Sequence, residues 1–303
     1  MIRRAVGCVV LGLAAGCAPA LPPLNPTPGP AAPTPTTAPP APVVTPPAPP
    51  PTTTPTVGLR YGPGTTRYLV QRRIENVQEF GGAEQRTTLG FSIFVTATVR
   101  GPGDTAGYAA TFAIDSVTAD SGVVLPSVIN LGRARGLSFS GVLTPRGEFR
   151  NSAPSDSSAA RSLAQIIGGF REFFPRIPAA GVAPGNTWTD TVTQVEQFGV
   201  IDSVQIRSVH NAHAVGWEEQ EGLRGLRIEV RSTVGLAGNG RQGGQAVNLT
   251  GSGTRQGVEY VAPDGRYLGG VSRDSTALTI TLQAQGVIVP VRQVALSVIR
   301  VRP

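Results

Sequence analysis

In residues 89–99 nearly every second side chain is apolar: Leu89, Phe91, Ile93, Val95, Ala97 and Val99 alternate with Gly90, Ser92, Thr96 and Thr98. A period of two places neighbouring side chains on opposite faces of an extended strand. The pattern returns in 226–236, where Leu226, Ile228, Val230, Val234 and Leu236 oppose Arg227, Glu229, Arg231 and Thr233. Similar runs occupy 108–114, 137–143, 278–282 and 287–301. Turn signals separate them: Gly81-Gly82, Gly101-Pro102-Gly103, Pro145-Arg146-Gly147, Glu221-Gly222 and Pro263-Asp264-Gly265. Strands that are apolar on one face only predict an antiparallel sheet with one wet side.

One segment breaks this period. In 155–174, Leu163, Ile166, Ile167, Phe170 and Phe174 form a single helical stripe. Ser155 or Asp156 offers an N-cap, and Pro175 and Pro178 stop the helix. The fold class expected is therefore mainly β (α+β): an antiparallel sheet with one covering helix at about 155–174, or alternatively a β-sandwich. The Pro-x-Gly turns at 145–147 and 263–265, each followed by an aromatic (Phe149, Tyr267), hint at a duplicated hairpin.

Composition narrows the chemistry. The 303 residues carry 26 basic side chains, all Arg, with only 2 His and 2 Cys. Lysine chemistry and zinc sites built on several Cys and His are excluded. His210 and His213 would share a helix face, but in a strand they point to opposite sides, so they read as surface or hairpin residues and not as a metal site. Gly238, Gly240 and Gly243 spell a nucleotide-binding pattern without a following helix, which reads as a hairpin loop. Gly136 to Gly141 approaches a nucleophile elbow but reads as a strand. No pair stands out among the acids, so no enzyme, catalytic residue, metal or cofactor is expected. The formal net charge is +7, of which Arg3 and Arg4 contribute two, and no basic run exceeds Arg72-Arg73. The body's arginines read as a solvated outer face, or as a weak attraction for anionic lipid headgroups or cell-wall polymers.

The first 57 residues follow another logic. Arg3 and Arg4 precede an apolar stretch, Ala5 to Ala15, too short to span a bilayer of ~30 Å. It reads as a cleaved secretory signal over 1–16. The end Ala14-Ala15-Gly16-Cys17 resembles the lipobox of bacterial lipoproteins. That resemblance implies that Cys17 receives a diacylglycerol and that the membrane is met through acyl chains. Ala18, where inner-membrane-retained lipoproteins carry Asp, implies the outer membrane, facing the periplasm. With Cys8 in the signal, the body has no Cys for a disulfide. Residues 17–57 hold this Cys and a tether. Of the 28 Pro, 17 fall in 18–57. Pro removes donors and locks φ, so the tether is a polyproline II spacer of ~3.1 Å per residue, reaching about 120 Å. An exported chain does not meet nucleic acid, so none is expected as a partner. Residues 58–303 form the β-rich domain.

Within this domain, Phe174-Pro175-x-x-Pro178 with Val182, Gly185 and Trp188, and the hairpin Val215 to Gly222, look like segments of uncharacterised secreted bacterial proteins. Those resemble the lipoprotein-carrier half-barrel proteins (LolA, LolB and LppX-like). The resemblance implies a strongly curved antiparallel sheet whose concave apolar face is covered by helices. It also implies a lipid or other apolar ligand between sheet and helix, lined by Leu163, Ile166, Ile167, Phe170, Phe174, Phe91, Ile93 and Val95. The rival expectation is an envelope scaffold with a filled core, contacting an envelope protein or cell-wall polymer through its surface.

Overall fold

A computed structural model of the chain describes residues 59–80, 82–101, 107–121, 130–167, 170–198, 201–242 and 245–302. The signal peptide, Cys17 and the tether lie outside the described residues, as do Gly81 and most of 101–103.

The alternating segments form strands β1 (Gly64–Phe80), β2 (Ala83–Arg100), β3 (Tyr108–Ala119), β4 (Ser138–Leu143) and β5 (Phe149–Pro154). After helix α1 (Ser157–Ile167) come β6 (Thr187–Phe198), β7 (Ile201–Gln220), β8 (Leu223–Gln242), β9 (Gln245–Val261), β10 (Tyr267–Leu282) and β11 (Val287–Arg302). All belong to one antiparallel sheet of 11 strands, ordered β5-β4-β3-β2-β1-β11-β10-β9-β8-β7-β6. A single sheet, not a two-sheet sandwich, is what forms. It is two meanders joined where β1 pairs β11, with Tyr68 opposite Val301 and Asn76 opposite Gln293. The two edges, β5 and β6, are consecutive in sequence yet unpaired, so the sheet stays open. Register shifts at Phe94/Val95, Ser140/Val142, Glu196/Phe198 and Ala214/Gly216 bend strands locally. This fits a curved sheet with one helix.

The alternation seen in sequence sets the inner face. Leu89, Phe91, Ile93, Val95, Ala97 and Val99 are all buried along β2, and Leu226, Ile228 and Leu236 along β8. Ala159, Leu163 and Ile166 of α1 join the same core as β2 and β3. Burying a side chain of this size is worth ~1.5–3 kcal/mol. A second buried cluster, containing Val204, Leu236, Leu249, Leu278 and Val291, lies in the β7–β11 part of the sheet. The described residues thus carry one sheet and their own core, the condition for folding as a unit.

Two expectations change. Asp156 caps α1, its Oδ1 accepting from the N–H groups of Ser158 (2.8 Å) and Ala159 (2.9 Å). The helix, however, ends at Ile167 instead of reaching 174, ahead of Gly168-Gly169, two poor helix formers. A single 3-10 turn, Phe170–Glu172, follows, then coil. Gly238 and Gly240 do not lie in a loop: they sit in β8, opposite Val204 of β7 and Val247 of β9, while Gly243 lies outside the described residues.

The two Pro-x-Gly turns are alike. Thr144 N–H donates to Glu148 O and Ala262 N–H to Arg266 O, while Gly147 and Gly265 donate back to Thr144 and Ala262. Both glycines have φ near +85° (89° and 84°) and abut the Arg60-Tyr61 segment, where a Cβ would collide.

Candidate functional site

Between the sheet edges runs the segment 170–186, which covers the inner face. Its first part is aromatic. Phe112 of β3 stacks on Phe170 at 4.7 Å and meets Phe149, Phe173 and Phe174 at 4.9, 5.3 and 5.6 Å. Tyr61 packs on Phe174 and Tyr68 on Phe173, both at 5.1 Å. Leu163, Ile166, Phe170, Phe174, Phe91, Ile93 and Val95 are at most 5 % exposed and belong to this cluster, with Ile167 packed against it. The structure brings all eight together in one buried apolar cluster.

The second part of the cover is polar. Ile177 N–H donates to Arg146 O (3.0 Å), Arg146 Nε to Ile177 O (3.2 Å), and Tyr61 OH to Pro175 O (2.7 Å). Across the other edge, Trp188 Nε1 of β6 donates to Arg176 O (3.0 Å) and Arg176 Nη1 to Asp190 Oδ2 (3.3 Å). Arg176 also approaches Glu148 at 3.6 Å, and Arg146 approaches Asp190 at 3.9 Å. Coil 175–178 is therefore a seam between the β4–β5 turn and β6. It is stitched by one backbone bond and a set of side-chain contacts where a closed barrel would use a ladder.

Beneath the seam the inner face of β7–β10 carries charge. Arg255 of β9 pairs with Glu259 at 3.3 Å and with Asp274 of β10 at 3.7 Å. Burial alone would pull the Arg255 guanidinium down, but Asp274 and Glu259 hold it above its ordinary value. Burial pushes the Glu259 carboxyl up, Arg255 opposing, and the Tyr267 hydroxyl donates to its Oε2. Arg72 of β1 also faces inward, its pKa lowered by burial and its Nε without a hydrogen-bond partner among the described residues. His210 of β7 places Nδ1 2.8 Å from Ser232 Oγ. Its Nε2 lies 3.8 Å from Glu172 Oε1, and neither of these two buried atoms has a hydrogen-bond partner among the described residues. Burial pulls the imidazole below its ordinary value, with Glu172 pulling the other way. A neutral ring results near pH 7.

These groups surround a cleft of about 40 Å³, whose walls include Glu172, Arg176, Trp188, Asp190, His210 and Arg255. That admits a few waters and is far below the roughly 300 Å³ and upward of an enclosing small-molecule site. Ser232, His210 and Glu172 stand in the order hydroxyl, imidazole, carboxylate. Yet Ser232 is buried and not part of the cleft wall, and the strand around it is paired to β7 and β9. A nucleophile needs an approaching substrate, and this buried serine does not face the cleft. Among the described residues no group of three His, Cys, Asp or Glu could hold a metal ion.

The sequence reading of both histidines as surface or hairpin residues is corrected for His210. It shares the inward register of Val204, Ile206, Ala212 and Ala214, whereas His213 faces out and is exposed. Arg255 and Glu259 were missed as well. They occupy the inward phase of β9 set by Val247, Leu249 and Val261, a register in which a charge stands out.

No family model matches this chain, and no curated protein does. Among solved structures, the crystal structure of a LolA superfamily protein from Nitrosomonas europaea aligns over 81% of this chain and 89% of that chain, at 12% identity and a TM-score of 0.17. A score that low carries no weight for fold or function.

Proposed function

We propose that the chain is a lipid-anchored, non-enzymatic protein of the cell envelope. It is held through acyl chains on Cys17 at the outer membrane, facing the periplasm. Its body takes up a lipid or other apolar ligand under the cover, and the arrangement described above is the closed form. The observation that carries the reading is the seam. Coil 175–178 is held by polar contacts on both sides, Trp188 Nε1 and Asp190 of β6 and Arg146 of the β4–β5 turn, and opening releases both sets, which exchange for water at small net cost. Opening there withdraws Phe173 and Phe174, and an acyl chain takes the vacated apolar space while Arg255 and His210 meet its polar end.

One observation favours a second reading. The stacking of Phe112 on Phe170 at 4.7 Å belongs to a filled core, as an envelope scaffold without a ligand would have.

Titrating residues 18–303 with a fluorescent fatty-acid analogue separates the two. A ligand binder saturates, and Phe170→Ala alters the affinity. Absence of saturable binding establishes the scaffold. The anchor is tested separately: in the full chain, Cys17→Ser moves the protein from the membrane to the soluble fraction, and continued membrane association with palmitate labelling would refute the acylation.

A further inference from the structure

The outer face of the central strands has a composition of its own. Arg73 of β1, Leu296 of β11 and Arg273 of β10 lie side by side in one cross-strand row. The next row is Gln71, Val298 and Val271, and Arg67 stands opposite Arg302 further along. On the other side comes the row Glu75, Val294 and Ser275, with Glu75 paired to Arg86 at 2.9 Å, and then Arg292 between Val77 and Ala277. Leu296 is 44% exposed and Val271 54%, so both apolar side chains stand out to solvent between the arginines. Arg67, Arg73, Arg273, Arg292 and Arg302 form no ion pair among the described residues, whereas Arg300 reaches Glu221 at 3.6 Å. The outer face of β8 is different: Arg227 is neutralised by Glu218 at 3.2 Å and Glu229 at 2.8 Å.

We infer that the outer face of β1, β11 and β10 is a docking surface for an anionic lipid bilayer. Five unpaired guanidiniums give it charge complementary to phosphate headgroups. Leu296 and Val271, set between them, suit the apolar layer beneath headgroups, which a polyanion in solution does not offer. A peptide strand cannot add here, because each of the three strands is paired on both sides. A crest of a few residues is also what an outward-bowed sheet brings to a flat membrane. This surface lies opposite the cleft, so docking does not depend on the ligand reading above.

The test is co-sedimentation of residues 18–303 with vesicles of phosphatidylglycerol and phosphatidylethanolamine, against vesicles of phosphatidylcholine alone. Each Arg near an anionic leaflet is worth roughly a fivefold change in partitioning. The triple variant Arg73→Gln, Arg273→Gln, Arg292→Gln therefore lowers binding on the order of 100-fold. Leu296→Ser lowers it by a smaller factor, and added salt weakens the parent. The control triple Arg135→Gln, Arg207→Gln, Arg241→Gln alters exposed arginines elsewhere and matches the parent. All these positions are exposed, and thermal melts verify folding. The inference is overturned if the parent ignores anionic vesicles, if it binds phosphatidylcholine equally, or if both triples lose equally. It is also overturned if dextran sulfate competes fully while Leu296→Ser has no effect, which would make the partner a soluble polyanion.

Discussion

The inner faces of the two meanders are built from different materials. Along β2 to β5 the inward side chains are apolar: Phe91, Ile93, Val95, Phe112, Ile114, Leu143 and Phe149. Against them lie α1 and the aromatic part of the cover. Along β7 to β11 the same face is interrupted by Ser208, His210, Ser232, Arg255, Glu259, Thr276 and Gln293, with a further apolar cluster on that meander. Packing alone explains the first face. The second gives up hydrophobic burial for charges that must then be paired, a trade characteristic of functional regions. The β2–β5 meander thus fixes the fold, and the β7–β11 meander carries the cleft, the seam and the unsatisfied His210–Glu172 pair.

The contrast is most sharply tested at Phe112, fully buried at the centre of the aromatic cluster. Phe112→Ala should cost ~3–5 kcal/mol in urea denaturation, since the four rings around it cannot collapse into the void. On the other meander, Arg255→Met should cost ~2 kcal/mol, below the ~3–5 of a fully buried pair because the side chain is 26% exposed. Adding Glu259→Gln should recover part of that loss by removing the stranded carboxylate. Equal costs for Phe112→Ala and for the Arg255/Glu259 double change would erase the distinction between the two faces.

The smallest effect concerns pH. Burial holds His210 below its unfolded value of about 6.5, so the unfolded chain binds more protons on the acid side of that value. Its contribution to stability is complete above pH ~6.5 and is lost as pH falls through the folded value. The slope is at most ~1.4 kcal/mol per pH unit. Subtracting the stability profile of His210→Gln from that of the parent isolates this limb from Glu148, whose carboxyl is held down by Arg150 and Arg176 despite partial burial and which adds a slope of the same sign at lower pH. Superimposable profiles would mean that the ring is solvated.

Periodicity made much of this legible. The phase of 89–99 placed β2 and its buried face, and the stripe at Leu163 and Ile166 with an Asp156 cap placed α1. Phe170 and Phe174 continue the helical phase in sequence, and for that reason the helix end was overrun: both face the core from a 3-10 turn and coil, after a Gly pair. The union of β1 with β11 was not legible, because pairing between strands at opposite ends of the domain leaves no local trace. The cleft was hidden for the same reason. Glu172, Asp190, His210 and Arg255 come from four separate elements and meet only through the fold. The charged residues in the inward phase of β9 were the one signal available.

The central claim is that the cover opens at its polar seam while the aromatic meander stays shut. Native-state hydrogen exchange reads this directly through two amides, Ile177, bonded to Arg146 O at 3.0 Å, and Ile114, bonded to Leu137 O at 2.9 Å. The account predicts that Ile177 exchanges through an opening well below the global unfolding free energy, with Ile114 close to the global value. Exchange of both amides only on global unfolding would contradict it and leave a closed scaffold.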